Sequence, residues 1–205
     1  MPMIKIDFKK ELKDLYIASA KNAVLVDVPE LTFLMVGGAG DPNTSLEYRD
    51  AIGALYSLSY GLKFAVKKGK DQVDFAVLHL EGLWWSEDPA DFTMGRKNNW
   101  LWTAMIMQPK YVTDSLFRDV LAQTQKKKPN NALSKVRLAT FKEGLSAQLM
   151  HIGSYSSEGP TILKLHEFIK GKGHSLVGKH HEIYLGNPER SAPEKLNTII
   201  RQPVA

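Results

Sequence analysis

Leu34-Met35-Val36-Gly37-Gly38 and Leu149-Met150-His151-Ile152-Gly153 open on the same Leu-Met pair and close on glycine. Each follows an apolar-rich segment, Val24-Leu25-Val26-Asp27-Val28 in one case and Leu138-Ala139-Thr140-Phe141 in the other. Each also runs into a glycine- and serine-containing turn and then into a helical pattern, which predicts an internal repeat. In the first half, Thr44-Ser45-Leu46-Glu47 has the spacing of a capping box. Apolar residues then recur at Tyr48, Ala51, Ile52, Leu55, Leu58, Leu62 and Ala65, the period of a helix with one buried face. In the second half, Pro160 suits a first helical position, and Ile162, Leu165, Phe168 and Ile169 form the buried stripe before Gly171 or Gly173 ends it.

Two strand-like runs follow each helix. Residues 74–81 and 99–107 supply them in the first half, and 180–185 and 196–201 in the second; the runs are short and rich in β-branched or aromatic residues. The order strand, helix, strand, strand thus occurs twice. The expected fold is α+β: a duplicated β-α-β-β repeat with pseudo-twofold symmetry and a central groove, since neither copy can bury a sheet face alone. The boundaries are one domain over residues 1–205, with repeat 1 at about 22–110, repeat 2 at about 136–205 and a helical connector at about 111–135. Within that connector, a helix is expected from Asp114 to Lys127.

Bulk composition narrows the function classes. The chain has 205 residues, 43% hydrophobic and 24% charged, the balance of a globular protein able to bury a core. It contains no cysteine, which removes disulfides, thiolate metal sites and cysteine nucleophiles. No apolar run is long enough to span a bilayer, and the first residues do not read as a secretory signal, so the cytoplasm is the expected compartment. The net charge of +5 is spread over separate lysine clusters, at Lys5 to Lys13, Lys67 to Lys70 and Lys126 to Lys128, rather than along a recognition element. Nucleic acid is therefore not an expected partner. The six histidines lack metal-ligand spacing, so no metal is expected. The turn Gly37 to Pro42 lacks the end of a phosphate loop, and no Gly-x-Ser-x-Gly elbow occurs. No cofactor is expected.

The candidate chemistry lies in a second match between the halves: His79-Leu80-Glu81 corresponds to His180-His181-Glu182. Strand alternation puts each glutamate on the face of the histidine two residues before it. A twofold relation would then bring Glu81 and Glu182 to a shared groove from opposite sides. A buried carboxylate is costly unless it is paired or in use. Among aromatics its pKa rises, which suits acid–base work or attraction of a cation; pairing with a lysine or a backbone N–H is the plainer alternative. All four tryptophans, Trp84, Trp85, Trp100 and Trp102, fall close after Glu81. Trp84, Trp100 and Trp102 are candidates for stacking on a flat or cationic ring, and Trp85, pointing away from Trp84, is the candidate core residue. His180 and Tyr184 flank Glu182 two residues to either side and complete the candidate ligand contacts. Tyr155, on the turn before the second helix, either donates its phenol into the groove or stays at the surface.

These residues resemble the GyrI-like small-molecule-binding domains, specifically their stand-alone group. The resemblance covers Asp7-Phe8-Lys9-Lys10-Glu11-Leu12, Leu80-Glu81-Gly82-Leu83-Trp84-Trp85, Leu149-Met150-His151-Ile152-Gly153, His180-His181-Glu182-Ile183-Tyr184-Leu185 and the tail from Ala192 to Val204. It implies a GyrI-type, multidrug-sensor fold with a ligand groove on a pseudo-twofold axis. It also implies a glutamate, matching Glu182, that holds lipophilic cations in related regulators. Some stand-alone members look like hydrolases that open the cyclopropane ring of cyclopropanoid genotoxins. On that pattern Trp100, Tyr155 and Glu182 would be the reacting constellation, with Glu182 as general base on water and Tyr155 orienting that water or polarising a carbonyl. Ser156-Ser157-Glu158-Gly159 departs from the more acidic turn expected after Tyr155.

Three functions stay open on the sequence. One is hydrolysis of cyclopropanoids for detoxification, and another is non-catalytic multidrug binding, sequestration or sensing. The third is modulation of DNA gyrase through protein contact. The expected partner is a small hydrophobic or cationic aromatic ligand, and the expected state a monomer or weak homodimer.

Overall fold

The computed structural model describes residues 3–88 and 95–205. In chain order it contains β1 (Ile4–Ile6), α1 (Phe8–Glu11), α2 (Lys13–Tyr16), β2 (Val24–Ala39), α3 (Leu46–Lys68), β3 (Val73–Phe75), β4 (Leu80–Trp85) and β5 (Leu101–Gln108). After these come α4 (Asp114–Lys127), β6 (Arg137–Ile152), α5 (Gly159–Gly171), β7 (His180–Tyr184) and β8 (Asn197–Pro203). The class is α+β. Strand, helix, strand, strand recurs as β2-α3-β4-β5 and β6-α5-β7-β8, with the short β3 added in the first run. The connector helix runs from Asp114 to Lys127 as expected. Among the described residues, no helix is long and apolar enough to cross a membrane.

Two compact units divide the chain, each gathered from separate stretches. The first takes the residues up to Glu11, Leu31–Leu78 and Trp85–Phe141; the second takes Leu12–Glu30, His79–Trp84 and Lys142–Ala205.

In the first unit, β2 pairs antiparallel with β5, from Thr32 opposite Gln108 to Ala39 opposite Leu101. α3 contacts β5, β3 and α4. Its buried stripe is Tyr48, Ala51, Ala54, Leu55, Leu58, Ser59, Leu62 and Val66. The helix starts one residue later than a box capped by Thr44 would place it. Ser45 is the cap, its Oγ accepting from the Tyr48 N–H at 3.2 Å, while Glu47 pairs with Lys135 at 2.6 Å. The expected strand over residues 74–81 is broken in two, because its ends serve different ladders. β3 pairs in parallel with β1, and Asp74 is tied to α3 through Lys67 at 2.7 Å and Lys63 at 3.5 Å. β4 pairs with β7 in the second unit.

In the second unit the ladder runs β4, β7, β8, β6, all antiparallel. α5 lies on β8. The core between helix and strands contains Ala147, Leu149, Leu165, Ile169, Ile200 and Val204, with Ile162 and Phe168 packed against it. Each fully buried leucine or isoleucine here is worth roughly 1.5–3 kcal/mol relative to exposure. Pro160 sits in the first turn of α5, and Gly173, at φ 80°, turns the chain away beyond its end.

Candidate functional site

The β4·β7 register decides which side chains meet. Leu80 faces Tyr184, Gly82 faces Glu182 and Trp84 faces His180. Directly opposed residues share a face, so His180, Glu182 and Tyr184 stand on one side with Leu80, Gly82 and Trp84. Glu81, Leu83, His181 and Ile183 stand on the other.

On the first face a chain of hydrogen bonds converges on Glu182. Trp84 Nε1 donates to the Tyr184 hydroxyl at 3.0 Å, and that hydroxyl donates to Glu182 Oε2 at 2.8 Å. His180 Nε2 meets Glu182 Oε1 at 3.2 Å. Glu158 is buried at the start of α5. Tyr155 opens the short turn Tyr155–Ser157, and its ring packs edge-on against Tyr184 with centroids 5.5 Å apart. His151 holds that turn: Nδ1 lies 2.9 Å from Thr161 Oγ1, and Nε2 lies 3.1 Å from the Ser154 carbonyl.

Burial pushes the Glu182 carboxyl up, but hydrogen bonds and charge from His180, then hydrogen bonds from Tyr184 and Glu158, outweigh it and hold it below its ordinary value. Glu182 is thus an anion whose side chain keeps 13% of its surface, in an aromatic setting. His166 of α5 is lowered by burial and by the charge of His180. Such a face can attract a cation or accept a proton, and its tyrosines can stack on flat ligands, with the buried Trp84 behind them.

The opposite face carries a buried charge network. His181 Nε2 lies 3.0 Å from Glu81 Oε2, and Nδ1 lies 2.9 Å from Glu143 Oε1. Tyr16 donates to Glu81 at 2.7 Å. Arg201 donates to Glu143 at 3.2 Å, to the side-chain Oε1 of Gln148 at 3.0 Å and to the Leu15 backbone carbonyl. Burial alone would lower His181, yet Glu143 and Glu81 raise it to about 9. Burial would raise Glu143, and His181 and Arg201 bring it below its ordinary value. Burial and the Glu81 charge push Tyr16 well above its ordinary value. This constellation ties the α2 segment to the sheet.

Of the residues expected from sequence, Trp84, Tyr155, His180, Glu182 and Tyr184 come together. Glu81 stands on the reverse face, within the His181 network. Trp100 and Trp102 belong to the first unit. Trp102 is wholly buried, edge-on to Tyr48 at 5.0 Å, and Trp100 is half-buried with Lys97 Nζ 5.4 Å from its ring centroid. Trp102 and Trp84 are therefore the core tryptophans, Trp84 at 3% exposure backing the face rather than lining it, whereas Trp85, the expected core residue, is half-buried. Sequence reasoning missed Glu158 and Glu143. Glu158 is the one acid remaining in the turn after Tyr155, which was its only signal. Among the described residues, no group of three or more His, Asp or Glu side chains is arranged to hold a metal ion.

Known structures share this fold. An uncharacterized conserved protein from Listeria innocua is 39% identical, with a TM-score of 0.89 over 98% of this chain and 100% of its own. A protein described as a hydrolase from Listeria innocua is 38% identical, with a TM-score of 0.85 over the same shares. The C-terminal domain of EcmrR shares the fold alone, at 13% identity and a TM-score of 0.55 over 90% of this chain and 97% of that domain. No functionally curated protein matches the sequence. Residues 22–205 match the GyrI-like small molecule binding domain, and the chain belongs to that family.

Proposed function

We propose that the His180–Glu182–Tyr184 face binds planar hydrophobic or cationic aromatic molecules and adds water to the cyclopropane ring of cyclopropanoid genotoxins. The observation that carries this reading is the anionic Glu182, held between His180 and Tyr184 and flanked by Trp84 and Tyr155. Glu182 takes a proton from water as the water oxygen bonds to a ring carbon. The cyclopropane C–C bond breaks, its electron pair moves into the conjugated carbonyl, and the carbonyl oxygen is protonated. Tyr155 orients the water or polarises that carbonyl, and the aromatics hold the ring system in line. Similarity to a Listeria innocua hydrolase supports catalysis. The twofold recurrence of strand, helix, strand, strand supports a duplicated ancestry for the scaffold.

The test is turnover. Purified protein with a cyclopropanoid should accumulate ring-opened product beyond one equivalent, and Glu182→Gln should reduce it to background. Product that stops at one equivalent, or tight binding without product, would leave a sequestering or sensing protein. The anionic carboxylate among aromatics favours that second reading for lipophilic cations, and quenching of tryptophan fluorescence by such dyes would report it.

A further inference from the structure

The buried network on the reverse face lies directly behind the row of residues that carries Glu182. Leu83 stands opposite His181, His181 opposite Arg201, and Arg201 opposite Gln148. One residue along each strand runs the row of the other face: Gly82, Glu182, Ile200 and Leu149. Glu81 thus adjoins Gly82, His181 adjoins Glu182, Arg201 adjoins Ile200 and Gln148 adjoins Leu149, so whatever holds the reverse row holds the backbone of the Glu182 row. The α2 segment seals that reverse row. A helix of four residues leaves carbonyls at its end without helical partners. Here Arg201 donates to the Leu15 carbonyl, and Gln148 Nε2 donates to the carbonyls of Asp14 at 2.8 Å and Ile17 at 3.4 Å. The Met150 N–H donates to the Ser19 carbonyl at 3.0 Å. Tyr16 adds a side-chain anchor: its hydroxyl donates to Glu81 Oε1 at 2.7 Å, while Glu81 Oε2 meets His181 Nε2 at 3.0 Å. Both ring nitrogens of His181 meet carboxylates, which only accept, so the ring is the imidazolium and Tyr16 ends a chain of charge-assisted bonds. Tyr16, Glu81, His181, Arg201 and Gln148 are all buried.

We propose that Tyr16 is a positioning residue for Glu182: by fastening the α2 segment to Glu81, it fixes the strand backbone from which the Glu182 carboxylate is aimed. Tyr16 precedes residues 22–205, which match the family, so this anchor comes from outside the matched domain. It stands on the face opposite Glu182 and acts through β4 and β7. Moving a buried charge off its partners is costly, so the bonded network resists any shift of β4 against β7. Without the Tyr16 hydroxyl, Glu81 loses a donor and resettles against His181. That displacement passes to Gly82 and Glu182, and loosens the bonds Glu182 makes to Tyr184 and His180. The titratable groups that bear on Glu182 are His180 and Tyr184 on its own strand, and Glu158 at the start of α5. Tyr155 packs on Tyr184, and His166 of α5 feels the charge of His180; β4 and β8 set Gly82 and Ile200 across from it. The positioning stands without any assumption about activity; its consequence for ligands rests on the function proposed above.

Carbon-13 NMR of the glutamate carboxyls in the full-length, ligand-free protein tests the positioning, with the Glu182 signal assigned by its loss in Glu182→Gln. In the wild type that carboxyl should titrate below its ordinary value of 4.5. Tyr16→Phe, which keeps the ring and is checked by circular dichroism, should move the midpoint up by about half a pH unit. The isosteric Glu81→Gln should move it the same way, and the double variant no further than the larger single shift, because both changes break the same bond. Gly38→Ala, a destabilising change in the first unit, should leave the midpoint in place. A Tyr16→Phe protein less stable to urea but with an unmoved Glu182 midpoint overturns the proposal, and so does an equal shift in Gly38→Ala. The functional consequence is read with tetraphenylphosphonium as the lipophilic cation, by tryptophan fluorescence at neutral pH. Its affinity should fall about threefold in Tyr16→Phe, and an unchanged affinity overturns that consequence. A wild type that binds no such cation refutes the binding reading itself, and the carboxyl titration still decides the positioning.

Discussion

Gly82 stands directly across from Glu182 in the β4·β7 ladder, and its missing side chain is what lets Trp84 reach Tyr184. A Cβ at Gly82 would lie 2.7 Å from Trp84 Nε1 and 3.0 Å from the Tyr184 hydroxyl, on top of the hydrogen bond those groups make. Gly82→Ala should push the two aromatics apart and weaken the Tyr184 bond to Glu182. Such crowding costs about 1–3 kcal/mol. Dye titration by tryptophan fluorescence should show weakened binding; unchanged affinity would remove Trp84 and Tyr184 from the binding face.

The same face predicts an acid limit to cation binding. Because the Glu182 carboxyl is held below its ordinary value of 4.5, binding that depends on its charge is complete above that value and is lost only as pH falls through the depressed one. Tyr184→Phe removes one donor to the anion and should move the midpoint up by roughly one pH unit. Titrating a lipophilic cation against both proteins checks this, and coincident midpoints would contradict it.

The buried network predicts a loss of stability on the alkaline side. Burial disfavours charged His181, but Glu143 and Glu81 raise it from 6.5 to about 9. Folding therefore favours the protonated ring. The stabilisation is fully present below about 6.5, declines as pH rises, and is gone above about 9, a change on the order of 3 kcal/mol. Urea midpoints measured across that window should fall, and a flat profile would argue against a charged His181.

Removing one member of the network should cost more than the pair contributes, because it strands a buried charge. Glu143→Ala leaves Arg201 and His181 without their shared carboxylate and should destabilise by about 3–5 kcal/mol, read from denaturant unfolding. A loss below about 1 kcal/mol would mean that water replaces the carboxylate.

In the first unit, Gly38→Ala should destabilise without touching the Glu182 face. A Cβ there would run into the ring of Trp102, which is wholly buried. Thermal unfolding should occur at lower temperature, and Trp102→Phe in the same chain should recover part of the loss.

Much of the architecture was legible because its signals are local. The 3.6-residue stripe from Tyr48 to Leu62, Pro160 in the first turn of α5 and the helix from Asp114 to Lys127 all follow from neighbours along the chain. The break between β3 and β4 was not legible, since Asp74 to Glu81 reads as one strand-like run until each end finds its own partner strand.

The two glutamates show most clearly where local reading stops. His79-Leu80-Glu81 and His180-His181-Glu182 have the same spacing, from which a twofold relation would bring both carboxylates to a common groove. The ladder instead sets Gly82, not Glu81, across from Glu182. With a side-chain period of two, that single-residue offset sends Glu81 to the opposite face, where Tyr16 and His181 hold it. From sequence alone came the family, the order of elements and the naming of Glu182, Tyr155, Trp84, His180 and Tyr184, because composition, periodicity and motif are written along the chain. Tertiary structure alone decided which face each carboxylate takes. Strand register is an agreement between residues far apart in sequence, and no local pattern encodes it.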